Sequence, residues 1–306
     1  MIKTRIIKGV VPVVVTPLNK NGSIDNNGLK NLIIFLKTKQ IGGFWCLGTG
    51  SEDMNLTLKK RVEIAKIIST ENADELPLII GASFFCLEDT FNFIDATKEF
   101  QFDAYHIMPY HPKLSLEMLQ QYYKLIADYS QKPIWLYTSA NWCQYVPPVF
   151  VTELMKHPNI AGIKFSSSNT VDQLKVLNFK NEEFQVMTAV ANQWFASLAM
   201  GSECGTSSLA SALPEPLINI YNLFIEGKYD SAREHQLNLI KFTNSLPKSI
   251  KKDNFLGGAE EKYILEKRKI CKPFMTNYYR CLNDDEKLVV DNALESCDYL
   301  KLINNT

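Results

Sequence analysis

The segment NIAGIKFSSSN, residues 159–169, contains a short run of apolar residues that ends in a lysine. The apolar part, 160–165, is too short for a buried helix and shows no alternation of polar and apolar positions. An unbroken run of this length is typical of a parallel strand that is buried on both faces. Lys164 therefore places an ammonium group at the inner end of a strand that otherwise belongs in a core.

Seven further segments share this apolar pattern, and longer segments of helical period such as 26–40, 57–70 and 115–131 separate them. Eight strand–helix units over about 225 residues favour a (β/α)8 barrel, also called a TIM barrel, over residues 1–225. A doubly wound open sheet is the alternative, but no GxGxxG follows the first run. The eight runs are GVVPVVVTP (9–17), GGFWCLG (42–48), LPLIIGAS (76–83), DAYHIMPY (103–110), KPIWLY (132–137), IAGIKF (160–165), FQVMTA (184–189) and ECGTSSLA (203–210).

The last part of the chain, 226–306, has a different character. It contains three segments of helical period, at 228–246, 257–270 and 284–303, and no strand pattern between them. We therefore expect a C-terminal extension of three helices packed on the barrel. No linker is long enough to separate two independent domains.

The composition excludes several classes of partner. Lys plus Arg and Asp plus Glu number 33 each, so the net charge of zero argues against nucleic acid as the main ligand. No segment approaches the roughly 20 apolar residues that span a bilayer. Pro12 and Pro17 interrupt the apolar run near the N-terminus, which does not fit a secretory signal. We therefore expect a soluble, cytoplasmic protein.

The cysteines and histidines do not have the spacing of a metal site or a disulfide framework. The seven cysteines are scattered, odd in number and never in CxxC spacing, which is typical of free thiols in a reducing compartment. The four histidines form no ligand-spaced cluster, so no metal is expected. They are His106, His111, His157 and His235.

In a barrel, Lys164 and Tyr137 end neighbouring strands at the face where active sites lie. Adjacent strands are about 4.8 Å apart, so both side chains can reach one small ligand. Burial disfavours the ammonium form of a lysine, and the neutral amine can attack a carbonyl to form a Schiff base. A nearby phenol can relay protons to the adduct. The position of Lys164 alone does not show that it is catalytic, because a lysine at a strand end is more often solvated or ion-paired.

Several motifs, in the right order for a barrel, resemble those of the dihydrodipicolinate synthase/N-acetylneuraminate lyase family of class I aldolases, and the resemblance covers nearly the whole chain. The motifs are GVVPVVVTPLNKNGSID (9–25), LGTGSEDMNLT (47–57), IMPYHPKLS (107–115), IWLYTS (134–139), IAGIKFSSS (160–168) and MGSECGTSS (200–208). The resemblance implies a Schiff base between Lys164 and the keto carbon of pyruvate or a related 2-keto acid, without a separate cofactor. It also implies that Tyr137 shuttles the proton, and that Gly48, Thr49 and Gly50 meet the ligand carboxylate.

The chain departs from the family at the positions that usually complete the proton relay. The family usually has two adjacent hydroxyl residues after the first glycine, but here Gly50 follows Thr49, so the second hydroxyl is absent or displaced to Ser51. His111 stands where many members have a relay tyrosine. Either Tyr110 takes over that relay, or His111 performs it, or His111 is a loop histidine without this role.

The positions that recognise the second substrate also differ. Trp142 replaces the arginine with which the synthases hold a carboxylate, and Ala191 and Asn192 replace the acidic pair of the sialic-acid lyases. Ser166 and Ser208 are candidate hydroxyl contacts, or serines that cap helices. We expect a less charged second substrate, such as a deoxy sugar acid or a small aldehyde.

Three functions remain open at this point. The first is a lyase that makes or breaks a C–C bond beside a pyruvate imine, and the second is a dehydratase of a keto-deoxy sugar acid that uses the same imine. The third is a barrel that binds a 2-keto acid without turnover. Family resemblance also implies a homotetramer.

Overall fold

Eight parallel strands form a closed barrel, which confirms the predicted (β/α)8 fold. The computed structural model describes residues 4–110, 114–139, 143–254 and 257–304. Each strand pairs with the next in sequence, and the last strand pairs with the first through Gly9 opposite Cys204. The strands are β1 Gly9–Val14, β2 Phe44–Cys46, β3 Leu78–Gly81, β4 Ala104–Ile107, β5 Ile134–Ser139, β6 Ile160–Ser166, β7 Gln185–Thr188 and β8 Cys204–Ser207.

Helices follow the strands and surround the barrel. Several begin at a residue whose side chain accepts a hydrogen bond from a free main-chain N–H, as Asp25 does from Gly28 and Asn169 from Val171 and Asp172. Three short 3-10 turns, Thr49–Ser51, Asp53–Asn55 and Ala191–Gln193, interrupt the loops. The helices are α1 Asn26–Lys37, α2 Leu58–Asn72, α3 Leu87–Thr97, α4 Leu116–Tyr129, α5 Pro148–Leu154, α6 Thr170–Leu177, α7 Trp194–Ala199, α8 Leu209–Ala212 and α9 Glu215–Ile225.

The barrel interior is packed with large side chains, and the register of β5 and β6 positions the two residues of chemical interest. Trp45 and Trp135 lie in the barrel interior, and their ring centroids are 6.2 Å apart. Trp135 pairs with Gly162, where a Cβ atom would lie only 2.9 Å from the indole ring. Two residues further along, Tyr137 is paired directly with Lys164. Both side chains therefore lie at the carboxyl ends of the strands.

Over its described residues, the C-terminal extension contains five helices, whereas the sequence predicted three. The first and second predicted segments contain α10 and α12, and α11 is an additional short helix between them. The third predicted segment is divided by a turn in which Asp298 has a φ of 60°. The boundary at 225/226 stays a prediction. The five helices are α10 Tyr229–Ser245, α11 Lys248–Asp253, α12 Ala259–Lys267, α13 Asp284–Ser296 and α14 Leu300–Asn304.

A buried ion pair joins this extension to the loop that follows β2. Glu52 adopts left-handed backbone angles, φ 58° and ψ 30°, and is fully buried. Its carboxylate lies 2.5 Å from Lys262 Nζ on α12 and accepts two hydrogen bonds of 2.8 Å from Thr276. Since a buried carboxylate is costly unless it is paired, these contacts hold the strained loop against the extension.

The described residues contain neither a membrane-spanning helix nor a cluster of metal ligands. No helix in the described ranges combines the length and the apolar character needed to cross a membrane. Among the same residues, no three or more His, Cys, Asp or Glu side chains are grouped so that they could hold a metal ion.

Candidate active site

A cavity of about 380 Å³ opens at the carboxyl ends of the strands. The barrel supplies one side of its wall, and the C-terminal extension supplies the other. Active sites of this fold lie at this face of the barrel, so the cavity is the candidate site. Its lining residues are Val13, Thr49, Gly50, Tyr137, Lys164, Ser166, Ala189, Thr206, Ser207, Ser208, Lys251, Asn254, Gly257 and Glu261.

Lys164 brings a buried amine to the floor of this cavity. The residue is 4% exposed, and its Nζ lies 4.0 Å from the ring centroid of Tyr137 and 5.0 Å from that of Trp45. Burial lowers the pKa of the amine to about 7, and the Asp53 carboxylate opposes this shift. Near neutral pH a large share of Lys164 is therefore uncharged and nucleophilic.

Tyr137 supplies a hydroxyl group beside that amine. Its phenol shares a hydrogen bond of 3.1 Å with Thr49 Oγ1. Burial raises the pKa of the phenol, so the group stays protonated at neutral pH. The structure thus brings Lys164, Tyr137 and Thr49 together in one cluster.

The loop after β2 reaches the cavity through Thr49 and Gly50, whereas Gly48 and Ser51 lie behind it. The Ser51 hydroxyl donates to the Val14 carbonyl at 2.6 Å and accepts from the Gly48 N–H at 3.3 Å. Ser51 therefore supports the loop, and among the described residues Thr49 provides the hydroxyl bound to Tyr137. A Cβ atom on Gly50 would lie 3.0 Å from Ser208 and 3.1 Å from Val13, so a larger residue would crowd the cavity wall.

Tyr110 lies in the barrel interior near this cluster but does not line the cavity. It is buried, and its hydroxyl donates to Asp53 Oδ2 at 2.6 Å. Burial and the negative charge of Asp53 raise the pKa of this phenol. His111 and Trp142 lie outside the described residues, so their predicted roles stay predictions.

The predicted contacts to the second substrate divide into two groups. Ser166 and Ser208 line the cavity, and the Ser208 hydroxyl donates to Glu261 Oε1 on α12 at 2.7 Å. Asn192 is not among the lining residues, and its Oδ1 accepts a hydrogen bond of 2.9 Å from Thr243 on α10. The structure therefore does not place Asn192 in the cavity wall together with Ser166 and Ser208.

Sequence reasoning missed part of the cavity wall. Thr206 and Ser207 stand in the quoted segment 200–208, so their hydroxyls were visible there. Lys251, Asn254 and Glu261 come from the extension, where no local pattern distinguishes them from ordinary polar helix residues. Only the folded arrangement of α11 and α12 shows that they face the barrel.

The floor beneath Lys164 is formed by a stacked pair of rings. His106 lies against Trp45 with ring centroids 4.2 Å apart, and its Nε2 lies 2.9 Å from the Cys46 carbonyl oxygen. Burial lowers the pKa of His106, and the charge of Lys164 lowers it further. This imidazole is therefore neutral at neutral pH and adds no charge to the floor.

The model of the Dihydrodipicolinate synthetase family matches residues 6–275 of this sequence. The chain belongs to this family. Among the family's members, 4-hydroxy-tetrahydrodipicolinate synthase of Methanospirillum hungatei is 26% identical over 231 residues, which cover 74% of this chain and 79% of the relative. An uncharacterised DapA-like lyase of Pyrococcus furiosus is 28% identical over 244 residues, which cover 78% of this chain and 80% of the relative.

Solved structures of this family share the fold. A prophage protein of Escherichia coli K12 from the dihydrodipicolinic acid synthase family, in complex with pyruvate, has a TM-score of 0.89 at 20% identity. The match covers 96% of this chain and 100% of that one. N-acetylneuraminate lyase of Aliivibrio salmonicida has a TM-score of 0.86 at 19% identity, covering 97% and 98%. These likenesses confirm the barrel fold, and the named ligand and activities belong to those proteins. The family-model match over residues 6–275 confirms the predicted family.

Proposed function

We propose that this protein is a class I lyase that makes or breaks a C–C bond between pyruvate and an aldehyde. In this proposal the nitrogen of Lys164 forms an imine with the keto carbon of pyruvate or a related 2-keto acid. The observation that carries it is the buried Lys164 amine, with a pKa of about 7, placed over the ring of Tyr137. A pocket for simple binding gains nothing from a desolvated amine beside a phenol, whereas imine chemistry needs both.

Each group has a defined task in this reaction. The neutral amine of Lys164 attacks the keto carbon, and Tyr137 donates the proton with which the resulting hydroxyl leaves as water. The hydroxyl of Thr49 holds the Tyr137 phenol in position through their 3.1 Å hydrogen bond. Thr49 and Gly50 belong to a glycine-containing turn, where main-chain N–H groups can approach the carboxylate of the keto acid closely.

The polar wall supports a second substrate that carries hydroxyl groups. Besides Thr49 and Tyr137, four hydroxyl side chains line the cavity: Ser166, Thr206, Ser207 and Ser208. Lys251 and Glu261 bring one charge of each sign, and no arginine is present in the described lining. Such a wall offers donors and acceptors for an uncharged, hydroxylated aldehyde.

The first test is reduction of the protein with borohydride in the presence of pyruvate, followed by intact mass measurement and peptide mapping. We expect a reduced pyruvyl adduct on Lys164. Lys164→Ala should abolish the adduct, whereas Lys132→Ala should not. Lys132 is a suitable control because burial also lowers its pKa, although its Nζ lies at the Phe102 carbonyl, away from the cavity. A wild-type protein that forms no reduced adduct with pyruvate or another 2-keto acid would contradict the proposal.

A second measurement separates the lyase from the dehydratase, since the same imine supports loss of water. The protein is incubated with keto-deoxy sugar acids, and released pyruvate is measured with a coupled dehydrogenase. Pyruvate release supports C–C cleavage. Consumption of the sugar acid without pyruvate would assign the dehydratase reaction instead.

A further inference from the structure

One hydroxyl group in the cavity wall has no partner within the fold. Thr206 on β8 is 4% exposed, and its Oγ1 is buried without a hydrogen bond to any group in the described part of the chain. Its side chain faces the barrel interior, because Cys204, two residues earlier on the same strand, belongs to the interior cluster. The unpartnered hydroxyl therefore points into the cavity that Thr206 lines.

This hydroxyl costs the fold free energy and stabilises nothing within it. A buried hydroxyl without a hydrogen bond is unfavourable, whereas valine has nearly the same volume and no polar group to satisfy. A ligand that supplies the missing hydrogen bond would remove the cost. The observation therefore points to a contact that Thr206 makes only when the cavity is filled.

The other three hydroxyls of the polar wall each have a protein partner. All three side chains are half-buried, whereas Thr206 is buried. Thr206 is thus the member of this group whose hydrogen-bonding capacity is unused. The three contacts are Ser166 to the Ala189 carbonyl at 3.5 Å, the Leu209 N–H to Ser207 at 3.2 Å and Ser208 to Glu261 at 2.7 Å.

The register of the sheet places Thr206 within reach of a ligand on Lys164. β6 pairs with β7 and β7 with β8, so Ser166, Ala189 and Thr206 lie side by side, each one residue beyond a paired position. All three line the cavity, and Ser166 follows Lys164 by two residues on β6. Two strand spacings of about 4.8 Å separate β6 from β8, and the small side chain of Ala189 leaves the space between them open. A ligand chain that extends from Lys164 along this row reaches the Thr206 hydroxyl.

The charges near Thr206 favour a neutral partner. The Glu261 carboxylate is held at Ser208, two residues after Thr206, so a carboxylate or phosphate of the ligand would be repelled at this point. The cation of the wall, Lys251, lies exposed on α11. A ligand hydroxyl both donates and accepts, which matches the capacity of Thr206 Oγ1.

We propose that Thr206 is a specificity-determining residue, whose hydroxyl binds a hydroxyl group on the part of the ligand that comes from the second substrate. This inference rests on the proposed function and deepens it. It assigns the second substrate to aldehydes that carry a hydroxyl group close to the carbonyl, and it makes Thr206 the residue that distinguishes them from plain aldehydes.

The test is a competition between two six-carbon 2-keto acids for Lys164. One is a 2-keto-3-deoxyhexonate, the product of C–C bond formation between pyruvate and glyceraldehyde. The other is 2-ketohexanoate, which has the same carbon chain without hydroxyl groups. The protein is mixed with both acids at equal concentration and reduced with borohydride, and intact mass gives the ratio of the two adducts. A pyruvyl adduct that arises by cleavage of the sugar acid is counted with that acid.

Thr206→Val should lower the ratio of the hydroxylated adduct to the plain adduct about tenfold, because one hydrogen bond to the hydroxylated acid is lost. Thr206→Ser keeps the hydroxyl and should keep the ratio near the wild-type value. Pyruvate alone should be trapped equally by all three proteins, since it has no hydroxyl group to bind.

Thr188→Val is the matched control. Thr188 is a buried threonine on β7 that does not line the cavity, and its hydroxyl is hydrogen-bonded to that of Ser202 at 3.1 Å. Its replacement should lower the free energy of unfolding and leave the adduct ratio unchanged. Thr206→Val should not lower the free energy of unfolding, because no hydrogen bond within the fold is lost.

The outcomes separate this inference from the proposed function. A wild-type protein that forms no adduct with any 2-keto acid overturns both. If wild type forms adducts and Thr206→Val leaves their ratio unchanged, the lyase proposal stands and the role of Thr206 is refuted. Weaker trapping of pyruvate itself in Thr206→Val would assign the hydroxyl to the keto acid and overturn the inference. A ratio that falls equally in Thr206→Ser would trace the effect to packing and overturn it too.

Discussion

At Lys164, the proposed chemistry and the stability of the folded protein have opposite requirements. Its amine suits the proposed imine chemistry because burial keeps much of it neutral near pH 7, but the same burial makes the residue unfavourable in the folded state. Methionine has a similar length and no charge. Replacing the lysine should therefore remove the proposed imine chemistry together with the cost of burying an ionisable group.

Lys164→Met should raise the free energy of unfolding at pH 7 by about 2 to 4 kcal/mol, given a shift in pKa from 10.5 to about 7. Between these two values the unfolded chain binds more protons at this lysine than the folded chain does. Wild-type stability therefore rises with pH across this range, and the advantage of the variant shrinks. Denaturant titrations at pH 7 and pH 9.5 measure this difference. A gain that is equal at both pH values would contradict the burial argument.

Tyr137→Phe keeps the ring beneath Lys164 and removes only the hydroxyl. We expect imine formation with pyruvate to slow by about 100-fold, because the proton donor is lost. Thr49→Val should slow it less, by about tenfold, since Thr49 acts through its hydrogen bond to Tyr137. Timed borohydride trapping measures both rates. Equal rates in Tyr137→Phe and wild type would remove Tyr137 from the proposed relay.

At the scale of single elements, α12 holds two loops of the active site through adjacent residues. Glu261 accepts a hydrogen bond from Ser208 at the end of β8, and Lys262 pairs with Glu52 after β2. These contacts fix the β2 and β8 loops on either side of the cavity. A substitution in α12 can therefore displace Ser208 and Glu52, which are far from α12 in sequence.

Lys262→Met leaves the Glu52 carboxylate buried without its cation, and we expect it to destabilise the fold by about 3 to 5 kcal/mol. Adding Glu52→Gln removes the unpaired charge, so the double variant should recover a large part of this loss. Unfolding free energies of the two single variants and the double variant form a cycle that measures the coupling. Additive losses would show that the pair does not act as a unit.

The elements also show how far sequence reasoning reaches. The eight strands were predicted because each is an unbroken apolar run between helical segments, a local property of the chain. Lys164 and Tyr137 were predicted as site residues because they lie at the ends of two such runs. Asn192 was misplaced because the direction of its side chain depends on Thr243 of α10, some 50 positions later. Glu261 and Lys251 give no local signal, because only packing brings their helices to the barrel.

At the scale of the whole molecule, the extension and the barrel share polar contacts. Gln236 on α10 accepts from the Phe195 N–H at 2.8 Å and donates to the Ala191 carbonyl at 3.1 Å. Lys262 and Thr276 satisfy the buried Glu52. Removing the extension would leave these main-chain and carboxylate groups without partners.

A chain shortened to residues 1–225 tests the predicted boundary. We expect it to lose the native packing of the barrel, since the partners of Glu52 are removed and the apolar face of α9 is exposed. Near-ultraviolet circular dichroism and size-exclusion chromatography measure this loss. A shortened chain that keeps the wild-type spectrum and remains monodisperse would show that the barrel folds alone.

The homotetramer implied by the family resemblance is a separate prediction at this scale. Sedimentation equilibrium of the purified protein should give four copies of the 34.9 kDa chain. A mass that stays at one copy across micromolar concentrations would contradict it.

The division of the cavity wall between barrel and extension has a consequence for evolution. The groups to which we assign imine formation lie on barrel strands and on the loop after β2. Lys251 and Glu261 lie on α11 and α12, and Asn254 directly follows α11, some 40 to 55 positions after the last strand. Substitutions in α11 and α12 can therefore alter which second substrate the proposed reaction accepts, while Lys164 and Tyr137 stay unchanged. In such a scaffold, the accepted substrate can change during evolution while the residues that carry the proposed reaction stay the same.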